Sequence, residues 1–193
     1  MGEQSLAGVP RQPLELRRIS GKTFAMTRFI VTSDGRFQIG ETVIRAALGK
    51  GGVKHETEKV EGDGATPLGT YVLRRVLYRV DRGDAPKTVL PVRTIRADDG
   101  WCDDPADAAY NRPVRLPYPA SAEEMIRKDE LYDIVVVLSH NDDPPVAGRG
   151  SAVFLHCAKP DYSPTLGCVA LARADLEAVL VQAKVGDILE IRR

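Results

Sequence analysis

Hydrophobic positions along this chain fall into short runs or strict alternation, separated by polar, Gly- and Pro-rich breaks, the pattern of β-strands joined by turns. Leu14 to Ser20 and Thr23 to Thr32 read as extended segments. Ser33-Asp34-Gly35, between Ile30-Val31 and Phe37 to Ile39, predicts a hairpin, because Asp-Gly tolerates the positive φ of a tight turn. Val43 to Leu48 is another apolar run, and the Gly49-Lys50-Gly51-Gly52 after it predicts a turn or a close backbone approach. Glu61 to Thr70 reads as a glycine-rich polar loop feeding a strand over Tyr71 to Val80.

From Asp81 to Ala120 the pattern loses its period, and Asp98-Asp99-Gly100, Asp103-Asp104-Pro105, Arg112-Pro113 and Pro117-Tyr118-Pro119 punctuate a loop-like stretch. Ser121 as N-cap with Glu124 at the third helical position predicts a short helix ending near Lys128, with Met125 as a packing residue. Leu131 to Ser139 reads as the clearest central strand and Ala152 to His156 as another. Leu176, Val179, Leu180 and Ala183 recur at helical spacing within Ala172 to Ala183, and Val185-Gly186-Asp187 turns into a last strand, Ile188 to Ile191. The expected architecture is mainly β, a mixed β-sandwich with one or two peripheral short helices, in one domain over residues 1–193 with a loop-rich elaboration at 81–126.

Twenty-seven basic and 27 acidic residues cancel, which removes the bulk electrostatic argument for a nucleic-acid partner. No run approaches the roughly 18 apolar residues of a membrane span, so stable membrane insertion is not expected, nor does Met1 to Arg18 contain a secretory apolar core. Three cysteines, Cys102, Cys157 and Cys168, are an odd number and too few for a disulfide framework.

The chemistry concentrates in the segment from His156 to Cys168. A thiol with an ordinary pKa near about 8.5 is scarcely ionised at neutral pH and needs a neighbouring base, which His156, at a strand end, can supply if the intervening loop folds back. Gly167 lets the backbone approach a substrate carbonyl, and amides around Gly167 and Cys168 can stabilise an oxyanion. The carbonyl of Cys157 can hold the second imidazole nitrogen. Trp101, the single tryptophan, Tyr110, Asn111, Arg112, Asn141, Arg149, Thr165 and Arg173 are candidates for substrate contacts. A different reading assembles a zinc site from His140, His156, Cys157 and Cys168, although neighbouring residues on a strand point to opposite faces. A third is a non-catalytic module that binds a peptide in the same cleft.

The strand-His, loop, Gly-Cys arrangement, together with Gly62-Asp63-Gly64-Ala65-Thr66-Pro67-Leu68-Gly69-Thr70, resembles the L,D-transpeptidase catalytic domain family, the YkuD domain. The resemblance implies a YkuD-like fold and Cys168 as nucleophile, His156 as base, Cys157 as the residue orienting that base, and Gly167 beside the oxyanion site. It implies an enzyme that attacks tetrapeptide stems of peptidoglycan and passes the acyl group to an amine on a second stem, in a 3-3 or 1-3 cross-link, or to water. It further implies no metal or organic cofactor, stem peptides as partners and a periplasmic location, with the cytoplasm an option because no signal segment is visible; a monomer is expected. The common form of the family has an arginine two residues after the cysteine, where this chain has Ala170, so Arg112, Arg115, Arg149 or Arg173 would have to supply the charge.

Overall fold

The computed structural model describes residues 26–193; the extended segment expected at Leu14 to Ser20 lies outside them. Strand β1 (Arg28–Thr32) alternates buried and exposed side chains and turns into β2 (Arg36–Ile39). Gly35 makes that turn at φ 79°, and a Cβ there would lie 2.8 Å from the Ala46 carbonyl oxygen. Strand β3 (Thr42–Ala47) continues the meander. The short β4 (Val53–His55) and a 3-10 turn at Glu56–Glu58 lead to β5 (Thr66–Tyr78), the longest strand, with 13 residues. The second half of the segment expected to be a polar loop is therefore strand.

After β6 (Val92–Thr94) come β7 (Asp99–Cys102), β8 (Pro113–Arg115) and β9 (Ala122–Glu124), which form a separate three-stranded sheet ordered β8-β7-β9. The elaboration is thus built from paired backbone rather than loop alone. Strands β10 (Ile134–Leu138), β11 (Phe154–Cys157) and β12 (Val169–Leu171), helix α1 (Arg173–Gln182) and β13 (Ile188–Arg192) complete the chain.

The helix expected over Ser121 to Lys128 is instead strand β9, with Trp101 opposite Glu123 and Gly100 opposite Glu124. A capping pattern nucleates a helix only when an apolar stripe follows, and here just Met125 and Ile126 follow; pairing with β7 wins. Met125 is buried, as its packing role requires.

The expected sandwich is also corrected. Eight strands close into a ring in the order β10-β11-β12-β3-β2-β1-β13-β5, and β5 returns to β10. Closure depends on the length of β5. Gly69 to Val72 pair with β13, and Leu73 to Tyr78 pair with β10 across a register shift at Val137 and Leu138, so one strand serves both halves.

All eight barrel strands send side chains to an inner core that includes Phe29, Phe37, Leu73, Val136, Leu155, Val169 and Leu189, joined by Leu176, Val179, Leu180 and Ala183 from α1 and its C-cap. A second cluster lies on the opposite face of β10 and β11, where Val135, Val137, Phe154 and Cys168 meet Trp101, Met125 and Tyr132. Covered on both faces, β10 and β11 are buried throughout, which is why β10 reads as an unbroken apolar run. The β7–β9 sheet is the cap over that outer face, and Asp99 pins it: its carboxylate accepts from Arg93 at 2.6 Å and from Arg115 at 3.0 Å.

Candidate functional site

Strands β11 and β12 run parallel, with His156 opposite Ala170 and Leu155 opposite Val169. Period-two alternation then puts Phe154, His156, Cys168 and Ala170 on one face, toward the cap, and Leu155, Cys157, Val169 and Leu171 on the other. His156 and Cys168 are therefore diagonal neighbours on adjacent strands, and both line a cavity of about 630 Å³. The loop between them makes up one wall through Ser163, Pro164, Thr165 and Leu166, while Glu123, Arg127 and Tyr132 from the cap side make up another.

The turn before Cys168 is braced from two directions. Thr165 Oγ1 donates to the Cys168 carbonyl at 2.7 Å and accepts from Gly167 N–H at 3.1 Å. Thr66 Oγ1, from β5, donates to the same carbonyl at 3.4 Å and accepts from Gly49 N–H at 2.8 Å. Gly167 has φ 134°, and a Cβ there would meet the Ala65 carbonyl oxygen at 3.0 Å, so glycine is required for both conformation and space.

The Gly62 to Thr70 motif is the buttress behind this turn. Asp63 accepts from Lys59 Nζ at 2.7 Å, Lys54 Nζ at 3.2 Å, Ala65 N–H at 2.9 Å and Val60 N–H at 3.2 Å. Burial works to raise its carboxyl, but these four donors outweigh it and hold the group well below the usual carboxylate range. The close approach predicted at Gly49 to Gly52 is made here: a Cβ on Gly49 would lie 2.2 Å from the Gly64 carbonyl oxygen and one on Gly51 2.5 Å from that of Asp63.

His156 Nδ1 sits 2.8 Å from the Cys157 carbonyl oxygen. A carbonyl only accepts, so the proton is on Nδ1 and Nε2 keeps the basic lone pair. The imidazole is buried with its ring edge-on to Tyr132 at 5.4 Å, and burial, only partly offset by the Cys157 carbonyl, pushes its pKa down to about 4. Burial likewise pushes the Cys168 thiol up to about 12. Both groups rest neutral. In this conformation Cys168 Sγ donates to the Ala152 carbonyl at 3.1 Å and accepts from Phe154 N–H at 3.4 Å, and no hydrogen bond joins it to His156.

A match to the L,D-transpeptidase catalytic domain model extends over residues 25–191. The chain belongs to this family. Among solved structures it is similar to L,D-transpeptidase 1 of Mycobacterium tuberculosis, at 13% identity and TM-score 0.40 over 87% of this chain and 62% of that one. It is also similar to L,D-transpeptidase 3 of the same organism, at 13% identity and TM-score 0.44 over 87% and 61%, and to an L,D-transpeptidase from Mycobacterium smegmatis, at 14% identity and TM-score 0.39 over 87% and 59%. The chain thus spans about 60% of the length of these proteins. Curated protein sequences gave no match.

Of the expected L,D-transpeptidase site residues, the structure brings Cys168, His156, Gly167 and Thr165 into one cavity, and the Cys157 carbonyl to His156. Trp101, Asn111 and Arg112 line a different cavity of about 120 Å³ on the far side of Phe154. Trp101 is buried edge-on to Phe154 at 5.0 Å and donates through Nε1 to Asn111 Oδ1 at 2.9 Å. Asn111 ties several segments together, also accepting from Ala152 N–H at 3.1 Å and donating to the carbonyls of His140 at 3.1 Å and Asn141 at 2.7 Å. Tyr110 donates to Glu61 and accepts from Gly150 N–H at 2.9 Å. The Asn141 side chain closes its own loop onto Val146 and Gly150, and Arg149 donates to the Thr57 carbonyl at 3.2 Å. Arg173 opens α1 and pairs with Asp133 and Glu177, both at 3.1 Å.

None of Arg112, Arg115, Arg149 and Arg173 lines the cavity that holds Cys168; its cationic side chains are Lys59, Arg127 and Lys159. Sequence reading missed Glu123, Arg127 and Tyr132, which only the folded cap side brings to the thiol, and Lys59, which its pairing with Asp63 holds there. The zinc alternative is corrected by geometry: Cys157 points into the inner core, away from His156 and Cys168, and among the described residues no three potential ligands converge.

Proposed function

We propose that this chain is an L,D-transpeptidase that acts on peptidoglycan tetrapeptide stems through a Cys168 thioester, in the periplasm. The observation that supports the reading most strongly is the placement of His156 and Cys168 on the same face of adjacent parallel strands in one cavity, inside a chain of this enzyme family.

In the first half-reaction the donor carbonyl enters the cavity and the thiol leaves the Ala152 carbonyl for His156 Nε2. The sulfur attacks the carbonyl carbon as its proton passes to the imidazole. With Gly167 N–H held by Thr165, the Cys168 N–H is the donor remaining at this turn for the developing oxyanion. Collapse releases the terminal D-residue as its amine takes the proton from His156. In the second half-reaction an amine of another stem attacks the thioester, giving a 3-3 or 1-3 linkage, or water attacks it and the enzyme acts as a carboxypeptidase.

The energetics of this site favour a neutral thiol and imidazole at rest, so the proton moves only as the sulfur attacks. Incubation with disaccharide-tetrapeptide stems, followed by mass-resolved separation and fragmentation, tests the reading. Cross-linked dimers that vanish in His156→Ala support it, tripeptide products alone assign the carboxypeptidase, and unchanged stems with folded protein reject both.

A further inference from the structure

Glu123 brings to the cavity a charge that the nucleophile does not favour. It sits in β9 and lines the cavity with Cys168, where a negative charge raises the cost of forming a thiolate. Its protein contacts converge on one oxygen: Oε1 accepts from the Tyr132 hydroxyl at 2.8 Å and from Arg127 Nη1 at a long 3.4 Å. Arg127 is already committed to Asp129, to which Nε and Nη2 each donate at 2.8 Å. Among the described residues no donor reaches Glu123 Oε2. Asp103 lines the same cavity, and its Oδ1 is buried without a hydrogen-bond partner. Asp103 thus leaves a buried acceptor unpaired, an expensive arrangement unless a donor uses it, and Glu123, with a side chain 27% exposed, holds a second free acceptor beside the thiol.

We infer that Glu123, with Asp103 beside it, is the carboxylate that docks the primary ammonium of the acyl acceptor. The inference rests on the acyl-transfer reading above and concerns its second half-reaction, when the sulfur is an uncharged thioester and no longer repelled by Glu123. The ammonium gives one proton to the Glu123 carboxylate. The neutral amine attacks the thioester carbonyl, so that a C–N bond forms and the C–S bond breaks. The second proton passes by way of His156 to the departing sulfur, regenerating the Cys168 thiol, and Glu123 returns its proton to water. A cavity of about 630 Å³ has room for the acyl group and an incoming amine together.

The test uses the whole protein with a tetrapeptide stem as donor and two acceptors: a tripeptide stem, whose amine is cationic near neutral pH, and hydroxylamine, which is uncharged there. Glu123→Gln is expected to raise the KM for the tripeptide about tenfold. It is expected to speed acylation of Cys168, because a charge opposing the thiolate is gone, and to leave hydroxylamine capture no weaker than in wild type. Glu123→Asp, which retains the charge, recovers part of the tripeptide KM, and Asp103→Asn moves it in the same direction as Glu123→Gln by a smaller factor. Should Glu123→Gln fail to fold, the Glu123→Asp and Asp103→Asn pair decides by the same split between acceptors. A tripeptide KM within twofold of wild type, or a parallel loss with both acceptors, overturns the assignment while acylation of Cys168 leaves the acyl-transfer reading standing. Absence of any acylation in the wild type overturns both.

Discussion

Replacing Asp63 by Asn tests whether the glycine-rich motif acts as a buttress for the nucleophile turn. Among the described residues Asp63 is the sole carboxylate partner of Lys59, whose side chain is only 4% exposed; Lys59 also donates to the Val60 carbonyl at 2.9 Å. The amide keeps the shape and one oxygen, but it turns a donor toward the N–H of either Ala65 or Val60 and removes the counter-charge from a buried ammonium. Breaking such a pair from one side costs about 3–5 kcal/mol, a large share of the roughly 5–15 kcal/mol that holds a domain together. Urea titration followed by circular dichroism should show a loss of about 3 kcal/mol, with Tm lower by about 6–12 °C in a chain of this size. The double variant Asp63→Asn with Lys59→Met should be more stable than Asp63→Asn alone, because the unpaired charge is gone. Turnover should fall more than the unfolded fraction accounts for, since Thr66, three residues on, holds the Cys168 carbonyl. A loss below about 1 kcal/mol, or a double variant no better than the single one, would refute the reasoning.

Removing the Thr165 hydroxyl as Thr165→Val should cost about 1–2 kcal/mol of stability and at least tenfold in acylation rate, because the Cys168 carbonyl and the Gly167 amide both lose a partner; equal acylation rates would contradict this. Ala152 holds φ 49° while its carbonyl accepts from the Cys168 thiol, so Ala152→Gly should raise stability or leave it level in thermal melts, and a clear destabilisation would remove backbone strain from the account. His140 and His156 are both held neutral by burial, with pKa values near 4. The unfolded chain takes up these protons first, near its ordinary value of about 6.5, so their contribution is complete above that pH and falls as the pH drops toward 4. The loss should be of order 1–3 kcal/mol for each histidine, and pH-resolved urea titration of the wild type, His140→Gln and His156→Gln checks it.

The sequence made legible the elements that obey a single period. Leu176, Val179, Leu180 and Ala183 marked α1 to within a residue at each end, and the apolar run before Ser139 marked β10 as a central strand. His156 and Cys168 could be named as candidates because an imidazole at a strand end and a Gly-Cys pair have a chemical signature that survives without coordinates. Barrel closure was not legible, because alternation along β5 does not say that its two halves pair with different neighbours. The β7–β9 cap was hidden for a related reason: three- and four-residue strands are too short to show a period, and Ser121 to Glu124 carries a helix-start signal that pairing with β7 overrides. With the cap hidden, Glu123, Arg127 and Tyr132 could not be placed beside the thiol. Trp101 and Asn111, conspicuous by residue type and by their loop-rich surroundings, instead support the strand that carries the base.

The most direct test of the central claim is intact-mass spectrometry of the protein mixed with a tetrapeptide stem, with the modified peptide then located by fragmentation. The account predicts a single acyl adduct, lighter than the whole stem by the released terminal residue, on Cys168 in wild type and absent from Cys168→Ala, with Cys102 and Cys157 unmodified. A folded wild-type protein that forms no adduct, or one that carries it on another residue, would contradict the assignment of Cys168 as the acyl-accepting nucleophile.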